Sequence, residues 1–160
     1  MKYIAILLVV VLLACVGGVG WLYLNANVTV AATGVIAVEA ATQPELFAQL
    51  RDQVESGHVS GTLFQQGTLG EAEGYQFYTY TVRLNNGCFL TADMVEVQVT
   101  PMEGDVLQLG DDTARALPAR TTGDIQATIL TDVNMHAVRE LNITYYMWGL
   151  PFTLRTTSGK

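Results

Sequence analysis

The chain has 160 residues, half of them hydrophobic, with 8 Lys plus Arg against 15 Asp plus Glu and a formal charge of −7 at pH 7. That acidic balance excludes binding to nucleic acid through phosphate neutralisation and makes an anionic lipid surface repulsive. Two cysteines in the whole sequence exclude a disulfide-rich scaffold, so the fold has to stand on its hydrophobic core.

Tyr3 to Leu24 is an unbroken apolar stretch, preceded by Lys2 and followed by the polar Asn25-Ala26-Asn27. As a helix it measures about 33 Å, enough to cross a bilayer core with slight tilt. It exceeds the apolar region of a secretory signal, and Trp21 and Tyr23 sit where an interfacial aromatic belt belongs. These features favour a retained anchor over cleavage. Leu12-Leu13-Ala14-Cys15 also resembles a bacterial lipobox, which would make Cys15 the lipidated first residue of a cleaved chain. Against this, Leu13 fits that pattern poorly and the apolar run past Cys15 would be unexplained. Lys2 precedes the stretch and no Lys or Arg follows until Arg51, which predicts a cytoplasmic amino terminus and an extracytoplasmic remainder. With Lys2 set apart, seven basic residues face 15 acidic ones, leaving the exterior part at a formal −8. Ala14 and Gly18 have the spacing that lets two helices approach closely, giving a weak homo-association at most; ordinary glycine use in a membrane helix is the favoured explanation. Cys15 in the membrane and Cys88 outside would not pair, and Cys88 is expected to be buried and inert.

Val28 to Ala41, rich in Val, Thr and Ala, predicts a strand broken or bulged at Gly34. A helix follows. Thr42 and Glu45 have capping-box spacing, Pro44 lies in the first turn, and Gly57 ends it. Leu46, Phe47, Leu50 and Val54 form its apolar face, expected to cover a sheet edge or the end of the core. From His58 the period becomes two. Tyr78, Tyr80, Val82 and Leu84 point inward in one strand, with Phe77, Thr79, Thr81 and Arg83 outward. Val95, Val97 and Val99 line the next, and Ile125, Ala127 and Ile129 another. Leu141, Ile143, Tyr145 and Met147, then Leu150, Phe152 and Leu154, line the last two. With segments His58 to Leu69 and Val106 to Leu109 this makes about seven strands, separated by turns such as Glu103-Gly104-Asp105 and Gly110-Asp111-Asp112. The reading is all-β: residues 1–24 an anchor, 25–57 a strand-plus-helix appendage with one accessory helix, and 58–160 an antiparallel β-sandwich.

Three segments resemble immunoglobulin-like domains of the bacterial CARDB and late-embryogenesis-abundant type 2 kinds. They are Tyr80-Thr81-Val82-Arg83-Leu84-Asn85-Asn86-Gly87, Leu117 to Gly123 leading into Ile125 to Ile129, and Asn142-Ile143-Thr144-Tyr145-Tyr146. The chain is also similar to membrane-anchored exterior proteins of Gram-positive bacteria. The resemblance spans roughly residues 58–157 and implies an immunoglobulin-like sandwich with adhesion, assembly or accessory roles. It implies no catalytic residue.

No set of residues reads as a catalytic, cofactor or metal site. His58 and His136 lack ligand partners at H-x-x-x-H or H-E-x-x-H spacing. Asp111-Asp112 suits a turn, and the calcium-loop pattern is absent. Ser56, Ser60 and Ser158 lack a G-x-S-x-G context, and no P-loop or Rossmann glycine pattern occurs. Asn27-Val28-Thr29 and Asn142-Ile143-Thr144 match the glycosylation pattern, which matters only in a eukaryotic secretory setting. Tyr75, Phe77, Tyr146 and Trp148 are the candidate partner contacts, as aromatics expected on outer faces unless the accessory helix or the Val28 to Ala41 segment covers them. The expected function is a membrane-anchored binding or structural module with an unidentified protein or envelope partner. A carrier holding a lipid between the sheets is the alternative, and an enzyme the third.

Overall fold

A computed structural model describes residues 2–25, 27–65, 67–110 and 115–159. The Asp111-Asp112 turn lies outside the described residues. Helix α1 (Lys2–Leu24) is long and apolar enough to cross a membrane, with mean hydropathy 2.7 and none of its residues buried in the protein.

Among the described residues, eight antiparallel strands follow: β1 (Val28–Glu39), β2 (Gly61–Leu63), β3 (Tyr75–Asn86), β4 (Asp93–Val99), β5 (Asp105–Leu109), β6 (Thr122–Asp132), β7 (Arg139–Met147) and β8 (Leu150–Ser158). They form a five-stranded sheet in the order β1-β3-β6-β5-β2 and a three-stranded sheet in the order β4-β7-β8. The alternating residues meet in one cluster between the two. Tyr78, Tyr80, Val82, Leu84, Ile125, Ala127 and Ile129 come from the larger sheet, and Val95, Val97, Val99, Leu141, Ile143, Tyr145 and Met147 from the smaller. All are buried, as the period-two pattern predicts.

The segment expected as an appendage contributes to the same body. Strand β1 pairs with β3 from Val28↔Asn86 to Glu39↔Gln76, and its register shifts between Val30 and Ala32 rather than at Gly34. Gly34 stays in regular extended pairing opposite Thr81. Helix α2 (Pro44–Ser56) lies on the outer face of the larger sheet, where Phe47, Leu50 and Val54 join Phe77, Val106, Leu107 and Leu130 in a second cluster. It therefore covers a face, not an edge or the end of the core. Pro44 opens the helix and Gly57, at φ 73°, closes it in the left-handed conformation that glycine adopts without strain. The capping box does not form: Gln43 is the cap, while Thr42 lies in a 3-10 turn and its hydroxyl donates to the Glu39 carbonyl at 2.7 Å.

Strand β2 is only three residues long, and Val59, Leu63 and Leu69 pack on the second cluster. Two edges carry specific devices. The Gln108 side chain on β5 accepts from Val99 N–H at 2.8 Å and donates to Val97 O at 2.8 Å, satisfying the open edge of β4 in the opposite sheet. On the exposed face, Arg83 and Asp124 are cross-strand partners joined by two hydrogen bonds of 2.7 and 2.8 Å, and the guanidinium holds the carboxyl below its ordinary range.

Candidate functional site

The two ends of the sheets differ in chemistry. At the end away from α1, the β6–β7 connection is held by side chains rather than by strand pairing. Gln76, Tyr78 and Tyr80, alternate residues of β3, donate to the carbonyls of Val133 (2.9 Å), Met135 (2.8 Å) and Ala137 (2.8 Å). Arg139 takes the carbonyls of His136 and Val138. The same guanidinium forms a fully buried ion pair with Asp105, at 2.8 and 3.2 Å, and Asp105 also accepts from Met102 N–H at 2.7 Å. Burial pushes the Tyr80 phenol up to about 12, against the opposing pull of Arg139. These polar groups are spent on one another and on backbone, an arrangement that fixes a loop. Beside it opens a cavity of about 190 Å³ lined by Val54, Thr68, Leu69, Tyr75, Gly104 and Asp132 among others.

At the α1 end, Asn86 is fully buried and satisfied. Its amide donates to the carbonyls of Leu90, Leu117 and Pro118, and its oxygen accepts from Cys88 N–H. Cys88 is buried, as expected, and both cysteines are free. Its thiol takes part in the exit from the helix: Asn27 N–H donates to Sγ at 2.8 Å, and the thiol donates to the Asn25 carbonyl at 3.2 Å. Strands β7 and β8 are joined by the two-residue turn Trp148-Gly149, both with positive φ, 52° and 75°. That is the geometry of a type I′ hairpin. An apolar cavity of about 320 Å³ separates this hairpin from the last turns of α1. Across one end of it the Tyr23 and Phe152 rings approach to 5.5 Å between centroids, and Phe152 stacks on Tyr145 at 5.4 Å.

The four aromatic candidates do not form one surface. Phe77 was expected outward and is buried beneath α2. Tyr75 is half-buried there, its ring 5.5 Å from that of Phe47. Both follow from α2 covering the face that alternation alone assigns to solvent. Tyr146 is half-buried on the outer face of β7. Trp148 does not continue that strand face; it is exposed on the hairpin turn, and Leu150, expected inward, is exposed beside it. His58 and His136 are surface residues. Cys15 sits exposed in the middle of α1. Among the described residues, no three of His, Cys, Asp and Glu converge where a metal could bind. Sequence reasoning missed Asn86, Asp105, Gln108 and Arg139, which read as turn or strand-end polar residues because their burial depends on strands distant in sequence. No family model matches the chain, and no curated protein matches it.

Proposed function

We propose that this is a single-pass membrane protein, amino terminus inside, whose two-sheet body works outside the cytoplasm as a non-catalytic binding or structural module. The observation that carries the reading is α1: 23 residues with none buried against the body, a surface that water would not tolerate and a bilayer would. Retention of α1 places Cys15 within the lipid; cleavage at a lipobox would place it at a new amino terminus.

The body is, in this reading, an immunoglobulin-like sandwich related to CARDB-like or late-embryogenesis-abundant type 2-like domains. The strand order supports this. With β2 left aside, β1-β3-β6-β5 and β4-β7-β8 follow the A-B-E-D and C-F-G order of a constant-type immunoglobulin sandwich, α2 being inserted after the first strand. The inter-sheet residues pack as one buried cluster, which favours a binding module over a carrier with a lipid between its sheets. The polar groups at the far end serve a loop and an ion pair, which favours binding over catalysis.

The far-end cavity beside Tyr75 and Asp132 is then the surface offered to a protein or envelope partner. Cross-linking on intact cells followed by recovery of the full-length chain tests this. A partner captured by the wild type and lost with Thr68→Arg, which fills the cavity mouth, is the expected result. Specific turnover of a substrate by the purified protein, abolished by one polar substitution, would overturn the non-catalytic reading.

A further inference from the structure

The α1 end joins several features that the anchor and the module leave unused. The cavity between α1 and the hairpin is walled on one side by helix residues from Val16 to Tyr23 and on the other by Leu90, Trp148 and Leu150. Val16 lies about 12 Å before the end of the helix at the α-helical rise. Whatever faces it across the cavity is therefore at the depth of the outer part of a bilayer core of about 30 Å. Phe89, Trp148 and Leu150 are each roughly half or more exposed, at 61%, 58% and 49%, and they cluster at this one end. Trp148 occupies a left-handed turn position that ordinarily takes Asn or Gly, a placement that costs backbone energy while more than half of the side chain stays exposed.

The charges agree. Over residues 87–92, 118–122 and 147–153 the sole charged residue is Arg120, although acidic residues outnumber basic ones nearly two to one in the chain. Its guanidinium lies 4.0 Å from the Phe89 ring centroid, a cation held at the rim of an apolar patch, where lipid phosphates sit. Of the acidic residues flanking these segments, Asp124 is paired with Arg83 and Asp93 begins β4 opposite Tyr146.

We propose that this end is a membrane footing: Phe89, Leu90, Trp148 and Leu150 enter the outer leaflet of the bilayer that α1 crosses, and acyl chains fill the cavity between them and the helix. The footing rests on the anchor reading and deepens it. The body stands on the membrane in one orientation, with its far-end cavity directed away.

The chain has two tryptophans, one on each side of the question. The full-length protein is reconstituted at high dilution in vesicles of phosphatidylcholine brominated high on the acyl chains. Trp21→Phe leaves Trp148 as the reporter, and Trp148→Phe leaves Trp21. Quenching of Trp148 comparable to that of Trp21, with blue-shifted emission, is the expected result. Quenching of Trp21 without quenching of Trp148 overturns the footing and leaves the anchor standing; a Trp148 covered by a second copy instead of lipid falls in this class. Quenching of neither removes the anchor and the footing together.

Discussion

Arg139 and Asp105 form the most exposed energetic risk in the body, because both are wholly buried and each is the other's counter-charge. Asp105→Asn leaves the guanidinium without its charge partner, and loss of about 3–5 kcal/mol is expected from chemical denaturation. The paired replacement Arg139→Met with Asp105→Leu should lose much less, since it removes both desolvated charges. A single and a double variant of equal stability would show that the pair is not the controlling feature. Tyr80 carries a pH signature of the same region. Its phenol, near 10 when unfolded, is held to about 12 in the fold by burial. The unfolded chain therefore releases this proton first as pH rises. Tyr80's contribution is fully present below pH 10 and is lost progressively towards 12. Ultraviolet titration should show late tyrosine ionisation reaching to about pH 12, and Tyr80→Phe should diminish it, leaving the part due to Tyr145, which burial also pushes up. None of this chemistry was legible in the sequence. Asp105 reads as the end of a Glu-Gly-Asp turn and Arg139 as a polar flank; only the packing of β5 against the β6–β7 connection makes them partners.

At the scale of elements, legibility follows the number of covered faces. Strands β4 and β7 bury one face, so their alternation yields the correct apolar core set and misses only the buried Arg139 at the start of β7. In β3 and β6 both faces are covered over part of their length: Gln76, Phe77 and Tyr78 are buried in succession, as are Ile129, Leu130 and Thr131. The pattern therefore blurs where α2 lies. The helix itself was legible from its apolar spacing and its Pro and Gly boundaries, but its target was not. Its packing makes a definite prediction. Leu50→Ala, deleting a buried contact to the outer face of the sheet, should cost about 2–5 kcal/mol, while the exposed Gln49→Ala should stay within about half a kcal/mol. Equal effects in thermal melts would mean that α2 is only loosely attached. Gln108 gives a second test of element pairing. Gln108→Leu keeps the volume but strips the β4 edge of two hydrogen bonds, leaving Val99 N–H and Val97 O buried without partners. A loss of about 1–3 kcal/mol is expected. Hydrogen exchange should rise at Val99 before the interior of β6.

For the whole molecule, one helix sets the direction and the two sheets carry it outward. In the proposed topology the amino terminus is inside, on the strength of Lys2 before α1 and the absence of another basic residue before Arg51. The Cys88 thiol, tied to both Asn25 and Asn27, holds the body close to the point where the helix ends. The two natural cysteines make the proposed arrangement testable without further engineering of the background, since Cys88 is buried and Cys15, exposed on α1, would lie within lipid. A membrane-impermeant maleimide should therefore leave the wild-type chain unlabelled on intact cells or right-side-out vesicles. Thr68→Cys, at the far-end cavity, should label at once from outside. A cysteine inserted between Met1 and Lys2, which keeps the basic flank, should label only after the membrane is opened. Reversal of these two patterns would invert the topology. Labelling of the inserted cysteine and of Thr68→Cys alike before the membrane is opened would mean that α1 does not cross it.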